Sequence, residues 1–588
     1  MVRKTSRRAA PFPLLLVPLG AAVLAYAGSF GHGFIWDDPL VLEQLRAFHS
    51  LRDLVVTPDA VPKFYYRPFI FLTFLLDRAL GGEQPFWFHA TVIGWHAAVS
   101  VLVFVLARAV LGERTATTAR TARTVRTAGS AAISGDVAAC LAATLFAVHP
   151  VHVESVAWIA GRSDVIATAW VIVTVLLSER TRERWTAFAA GASLFLALCS
   201  KEMAVAGLVL VPLWNLCREG KLYWVRYAPL ALAAALYFAL RQGSLGTVGG
   251  GIPTGEGAAT LARELLAALG WYAAKMLVPV GLNAYVPEVP GGAAFVIGGA
   301  ACTAIGLGGA ALAWARGQAV VAFLVVWFFV TLAPSLAVIL RRSASAEVAE
   351  RYLYLPSVAA AVLVGFLLLE LGRRSPQAGR VGAALAGVLA LVFTGQSLVR
   401  GEVWADEVRF WSDVVAKSGA YMLPHRELGD AYMRRDQLDL AEAAMEAGLD
   451  KKGTREDRVM LSNNLGNLYF RRNRLDEAEA AFKAGLDSLP HPFLYSGLGR
   501  VAMRRAELAQ ARGDQKAAVR EVLAARDALR QSIALDPNND KSHALLGQVL
   551  LSLDDRAGAR EHLQRSLAIR PTGPVADTTR QFLARTGL

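Results

Sequence analysis

Residues 149–164 read HPVHVESVAWIAGRSD and interrupt a long apolar run. Small apolar residues lead in over 137–148, and a second apolar run leaves over 165–177. Between them sit His149, His152, Glu154, Arg162 and Asp164. Ionisable groups this close to a bilayer are costly unless they face a cavity or one another. The chemistry on offer is broad. A positioned carboxylate can take a proton, and a guanidinium can hold two oxygens at once. Two histidines near two carboxylates also permit a divalent metal, although no ligand spacing here selects one. A second acidic cluster, Trp36-Asp37-Asp38, follows the first apolar run. A third charged group comes late: Arg341, Arg342, Glu347, Glu350, Arg351, Tyr352 and Tyr354. Each has a structural alternative. Residues 149–164 can be a plain polar loop, Asp37 a helix cap, Arg351 a boundary anchor beside Tyr352, and His149-Pro150 the end of a span.

The elements that must position these residues follow from hydropathy. At 588 residues the chain is too long for one domain. Hydrophobic residues make up 54% of it, unevenly spread. Residues 1–400 are apolar runs with short basic interruptions, whereas 401–588 are charged and rich in Ala, Leu and Arg. The chain therefore reads as all-α, with a polytopic membrane domain over 1–400 and a soluble domain over 401–588. About eleven spans are expected. They fall at 11–29, 86–110, 137–148 and 165–177, with two within 185–216 and one ending near 240. The last four lie at 293–314, 319–340, 352–371 and 381–399.

A basic start (Arg3, Lys4, Arg7, Arg8) keeps the N-terminus cytoplasmic. The Trp36-Asp37-Asp38 cluster, the 149–164 loop, the Ser200-Lys201-Glu202 corner and the third cluster then share the outer face. An odd span count puts 401–588 there as well. Ala25-Tyr26-Ala27 resembles a signal-peptide cleavage site, but the later membrane runs favour a retained anchor. Residues 64–80 (FYYRPFIFLTFLLDRAL) carry Arg67, Asp77 and Arg78, and read as an amphipathic helix lying on the outer interface. Residues 114–130 (RTATTARTARTVRTAGS) read as a disordered cytoplasmic loop. The glycine-rich 243–257 stretch follows no strand, so it is a flexible loop rather than a nucleotide fingerprint. The net charge of +13 sits largely in short loops beside spans, so topology explains it better than nucleic acid does. Cys140, Cys199, Cys217 and Cys302 all fall in apolar runs and indicate neither a disulfide framework nor a zinc site.

The soluble half repeats at about 34 residues. Leu428-Gly429, Tyr432 and Ala441 begin one copy. Leu465-Gly466, Tyr469, Ala478, Phe482 and Pro490 form the clearest. Leu498-Gly499 opens a third with an insertion, closing at Asp536-Pro537, and Leu546-Gly547, Ala559, Leu563 and Pro571 form a fourth. This is the tetratricopeptide pattern. Small residues let paired helices approach, and the array presents a concave groove suited to a protein or peptide.

Four local motifs coincide with these repeats: WDD after the first span, YRP before the second, HPVHVESVAWIAGRSD between the third and fourth, and ERYLYLPS before the tenth. Together they resemble the transmembrane and tetratricopeptide repeat-containing (TMTC) O-mannosyltransferases and their bacterial relatives, across essentially the whole chain. The resemblance implies a type C glycosyltransferase fold with an outward-facing site and a polyprenyl-phosphate-linked sugar as donor. Its eukaryotic members transfer mannose to Ser or Thr of proteins. Carried over by motif, Asp37 or Asp38 is the expected base. Glu154 and His152 help orient acceptor or sugar, and Arg351 holds the phosphate. Lys201 and Arg162 are second choices for the phosphate, and either can instead pair with Glu202 or Asp164. Asp164, Tyr352 and Arg67 complete the expected substrate site. Some enzymes of that fold use a divalent metal and others do not, so a divalent metal is possible here and no cofactor is called for by the residues themselves. The compact loops and Ala/Arg/Gly usage look bacterial, which implies an inner (cytoplasmic) membrane protein with a periplasmic repeat domain.

Two other functions compete: glycosyl transfer to an envelope glycan or lipid, and a membrane-anchored repeat scaffold without chemistry. A transporter would favour internal repeats with charges at mid-span. Here the charges cluster at span ends.

Overall fold

The computed structural model describes residues 12–58, 65–121, 133–178, 184–246, 257–341 and 346–587. The basic start, most of the 114–130 loop, the charged residues 179–183, the glycine-rich 247–256 and Arg342 lie outside them. The regular secondary structure of the described residues is entirely helical. Their only β contacts are two isolated bridges, Val286 with Val348 and Tyr421 with Lys452. The chain divides into two compact units, Met1–Phe410 and Trp411–Leu588. The division falls at 410 rather than 400 because the turn after the last apolar helix folds back into the first unit. There Trp404 is fully buried, and the Gly33 amide donates to the Ala405 carbonyl at 3.2 Å.

In the first unit a helix occupies each of the eleven apolar runs. Five are long and apolar enough to cross a membrane: Pro85–Leu111, Ala293–Ala315, Ala319–Arg341, Glu350–Arg374 and Pro376–Trp404. A sixth span results if Gly135–Ala147 and Pro150–Ala157, bent by 47°, count as one. The other expected spans are apolar helices too short or too polar, among the described residues, to meet that length and composition. The Gly135–Ala147 and Gly207–Glu219 helices have 13 residues, about 20 Å at 1.5 Å per residue, short of the ~30 Å hydrocarbon core. The charged corners at 149–164 and 199–202 end these helices early. The unit is a multi-helix membrane body whose shortest helices converge on the charged residues.

The first apolar run forms Phe12–Ala25. Ala22, Ala25 and Tyr26 are buried, and Tyr26 meets His96 edge-on at 5.1 Å. The stretch expected on the outer interface forms the Pro68–Gly81 helix. Ile70 and Phe74 pack on Leu45, Phe88, Ile159 and Ile166, and Asp77 is buried with them.

The second unit is a stack of helix pairs: Met422–Arg434 with Leu438–Glu446, Arg455–Arg471 with Leu475–Ser488, Pro492–Ala511 with Gln515–Leu535, and Asp540–Ser552 with Arg556–Ile569. Pro574–Thr586 closes it. The insertion expected in the third repeat lengthens both of its helices, to 20 and 21 residues. Close approach is built into Gly466, where an added Cβ would lie 2.5 Å from the Phe482 ring. Each pair is joined through one left-handed residue: Asp436, Asn473, Gly513 or Asp554. These residue types tolerate that conformation best.

Candidate functional site

The 149–164 segment is two short helical turns, Pro150–His152 and Val153–Ala157, followed by a tight return into Arg162–Ser178. The return needs Gly161, where a Cβ would stand 2.7 Å from the Glu154 carbonyl oxygen. The tight turn fixes Glu154 and Asp164 close to one another in the fold, and each receives a cation from a distant segment. Arg351 donates its backbone N–H to Glu154 Oε2 at 2.9 Å, and its guanidinium forms an ion pair with Oε1. Lys201 Nζ donates to both Asp164 oxygens, at 2.7 and 2.6 Å. Tyr352 lies between the two cations, its ring centroid 5.1 Å from the Arg351 guanidinium and 5.4 Å from Lys201 Nζ.

The residue after Lys201 extends the cluster. Glu202 accepts from Arg67 Nη2 and Arg241 Nη1, both at 2.9 Å. Burial opposes its ionisation, but the Arg67 and Arg241 guanidiniums outweigh that and pull the carboxyl down to about 2. Arg67 also lies over the Tyr65 ring at 4.3 Å. Arg67, Lys201, Arg241 and Arg351 thus meet Glu154, Asp164 and Glu202 in one cluster. Two buried donors here, Arg67 Nε and Trp158 Nε1, have no hydrogen-bond partner among the described residues.

The Trp36-Asp37-Asp38 motif docks on this loop. Asp38 is 2% exposed. Its oxygens accept from the backbone N–H of Ala160 at 2.9 Å and of Ile35 at 3.1 Å. Burial pushes its carboxyl up to about 7, against the pull of those amides and of Arg162. Asp37 is solvent-exposed and precedes the Asp38–Leu45 helix without a side-chain capping bond. Trp36 adopts φ 54°, an unusual conformation for a bulky residue. Its ring stacks on Trp158 at 4.8 Å and 17°, and Trp158 in turn meets the Arg351 guanidinium at 5.6 Å and the Trp404 ring at 6.2 Å. The strained residue therefore links the acidic pair to the cation cluster, and strain of this kind concentrates at functional sites.

Arg162, His152 and His149 stand apart. Arg162 is fully buried and donates to Asp77 at 2.5 Å, to the Phe88 carbonyl at 3.0 Å, and to Thr73 and the Ile159 carbonyl at 3.3 Å. It ties three segments together, and its donors are spent there. His152 Nε2 meets Ser357 Oγ at 2.8 Å, and its ring packs on Phe146 and Tyr354. His149 Nδ1 caps the following turn by accepting from Val151 N–H, while Nε2 meets the Met276 carbonyl at 3.1 Å. Among the described residues no group of three or more His, Cys, Asp or Glu is placed to hold a metal ion. The histidines turn to Met276 and Ser357 while Glu154 turns to Arg351. Sequence reasoning missed Arg241, Trp158 and the conformation of Trp36. Arg241 sits near a helix end with no motif around it; Trp158 stands inside the 149–164 motif, where only the ionisable residues were singled out.

The fold and this site define a multi-span helical membrane protein with a charged, aromatic-lined cluster at its helix ends, followed in sequence by a tetratricopeptide array. The tetratricopeptide repeat family model matches residues 426–491 and 511–574. Human protein O-mannosyl-transferase TMTC4 is 31% identical over 178 residues, 28% of this chain and 23% of that protein. Human protein O-mannosyl-transferase TMTC1 is 32% identical over 177 residues, 28% and 18% of the two chains. Over the matched stretch the chain is similar to these TMTC proteins, and it spans about a fifth of the length of these curated relatives. Among solved structures, the crystal structure of MamA aligns with a TM-score of 0.22 at 16% identity, covering 28% of this chain and 86% of that one.

Proposed function

We propose that this chain is a membrane glycosyltransferase. It moves a sugar, mannose on the strength of the family likeness, from a polyprenyl-phosphate donor to a Ser or Thr hydroxyl of a polypeptide. The site faces the extracytoplasmic side of a bacterial inner membrane, and the repeats recruit the polypeptide. The observation that carries the reading is the cation-rich cluster at residues 67, 201, 241 and 351. A phosphate binds among these four cations, two of which share the single carboxylate of Glu202. A donor's oxygens also suit Arg67 Nε and Trp158 Nε1, since buried donors are seldom left without an acceptor.

In the transfer, the acceptor hydroxyl oxygen attacks the anomeric carbon. The bond from that carbon to the phosphate oxygen breaks, and polyprenyl phosphate leaves with the electron pair. Asp37, the exposed carboxylate of the pair, takes the hydroxyl proton. Arg351 and Lys201 hold the phosphate as charge develops, while Glu154 and Asp164 keep those two cations oriented. Asp38 and Arg162 act on the framework, and His152 packs behind it.

The test is transfer from polyprenyl-phosphate mannose to a Ser/Thr peptide by the detergent-purified full chain, with and without a divalent-metal chelator. Asp37→Asn is expected to lower kcat by about 100-fold or more, the low end for a lost general base, with its unfolding midpoint unchanged. Arg351→Gln is expected to raise KM for the donor as well. Undiminished transfer by Asp37→Asn removes that residue from the mechanism. No turnover by wild type with any of several polyprenyl-phosphate sugars favours the scaffold.

A further inference from the structure

The repeat unit contains a groove of about 510 Å³ whose lining has a distinct chemistry. Its polar wall comes from the first helices of three successive repeats: Asn463 and Asn467, then Arg500, then Asn539, Lys541 and Gln548. Asn463 and Asn467 are four apart on the Arg455–Arg471 helix, so they share one face. No Asp or Glu lines the groove. That is unusual in this unit, where Arg472, Arg474, Arg504 and Arg505 all reach carboxylates. Arg500 is half-buried. It is held by its donation to Asn467 Oδ1 at 2.8 Å and by the Phe470 ring at 4.3 Å, with no carboxylate partner among the described residues. Burial pulls its guanidinium below the ordinary value, as expected for an uncompensated charge.

We infer that this groove binds an acidic, extended polypeptide segment, and that Arg500 and Lys541 set the preference. Side-chain amides offer donors and acceptors together, which suits the alternating N–H and C=O groups of an extended backbone. The two cations add selection for Asp or Glu side chains. Two cations are too few for the phosphate-by-phosphate neutralisation of a nucleic acid. Exposed Phe493 adds an apolar contact at the edge. The inference rests on the acceptor-recruiting reading above and narrows it: the polypeptide that the repeats take carries acidic residues.

Binding is measured directly on the full chain in detergent, without sugar donor, by fluorescence anisotropy. Three labelled Ser/Thr peptides of equal length are compared, acidic, neutral and basic. The acidic peptide is expected to bind about 10-fold tighter than the neutral one, about 1.4 kcal/mol, with the difference shrinking as salt rises. Arg500→Gln with Lys541→Gln is expected to erase the preference. Lys541→Gln alone, at an exposed position, is expected to reduce it about three-fold without changing the unfolding midpoint. Equal binding of the three peptides, or a preference that survives the double substitution, overturns the inference. Because no turnover is involved, a chain that fails to transfer sugar still gives this result, and a groove without preference leaves the transfer assay to decide the enzyme.

Discussion

In the membrane unit, Arg162 and Asp77 form an ion pair whose side chains are 0% and 2% exposed. In the repeat unit, Arg505 reaches Asp476 and Glu479 with side chains 25%, 99% and 27% exposed. The chemistry is the same and the consequence differs. A buried pair is costly to desolvate and more costly to break, because the remaining charge has no solvent. An exposed pair gains little and is screened by salt. The membrane unit therefore uses charge to fix where loops stand, with Arg162 joining three segments and Asp38, Glu154 and Asp164 fixing the rest. The repeat unit is fixed by shape, with Gly and Ala set against large side chains, and its charges decorate a surface that stands without them.

The largest effect is expected at the buried pair. Arg162→Met leaves the Asp77 carboxylate without its cation and should cost about 3–5 kcal/mol, the range for one lost partner of a buried pair. The readout is the unfolding midpoint of the full chain in detergent. Asp77→Leu added to Arg162→Met should recover much of the loss, since no lone charge is left buried. A double variant no more stable than the single one would mean that Arg162 acts through its bonds to Thr73, Phe88 and Ile159 instead.

A smaller effect is expected where shape governs. Gly466→Ala puts a Cβ 2.5 Å from the Phe482 ring. The ring is buried between Ala478, Leu494 and Val501 and has little room to move. Overpacking of this kind costs about 1–3 kcal/mol. Circular dichroism melting of the full chain should show the repeat transition lowered, and Phe482→Leu should rescue it. A transition that does not move would mean the helix pair yields at no cost, and shape would then lose its claim to fix this unit.

The repeats were legible to the residue because each Leu-Gly, Ala and Pro signal recurs at a fixed period, and recurrence separates signal from chance. In the membrane unit the elements were legible as apolar runs, but their lengths were not. The chain turns at 149–164 and 199–202, and hydropathy does not register how early a helix stops at a charge. Glu154, Asp164, Lys201 and Arg351 could be named as a group because their types are out of place near a bilayer. Their pairing was legible only as a set of options for Lys201 and Arg162, of which Lys201 with Asp164 is the one the structure shows. Lys201 takes Asp164, Glu202 takes Arg67 and Arg241, and Arg162 takes Asp77, and these partners are set by how helices distant in sequence cross. The same holds for Asp37 and Asp38, adjacent in sequence yet exposed and buried.

The smallest effect is expected at Arg505. Its two carboxylate partners lie on the preceding repeat, at Asp476 and Glu479, so the contact resembles a strut between repeats. Glu479 is also paired with Lys483, so removing Arg505 leaves that carboxylate neither buried nor alone. Arg505→Gln should therefore cost less than ~1 kcal/mol, and the cost should vanish in high salt, where exposed charges are screened. The Arg162→Met loss should persist in the same salt, because a buried carboxylate is out of reach of the ions that would screen it. A salt-resistant loss of several kcal/mol at Arg505 would show that the repeats, too, depend on charge to hold their stacking.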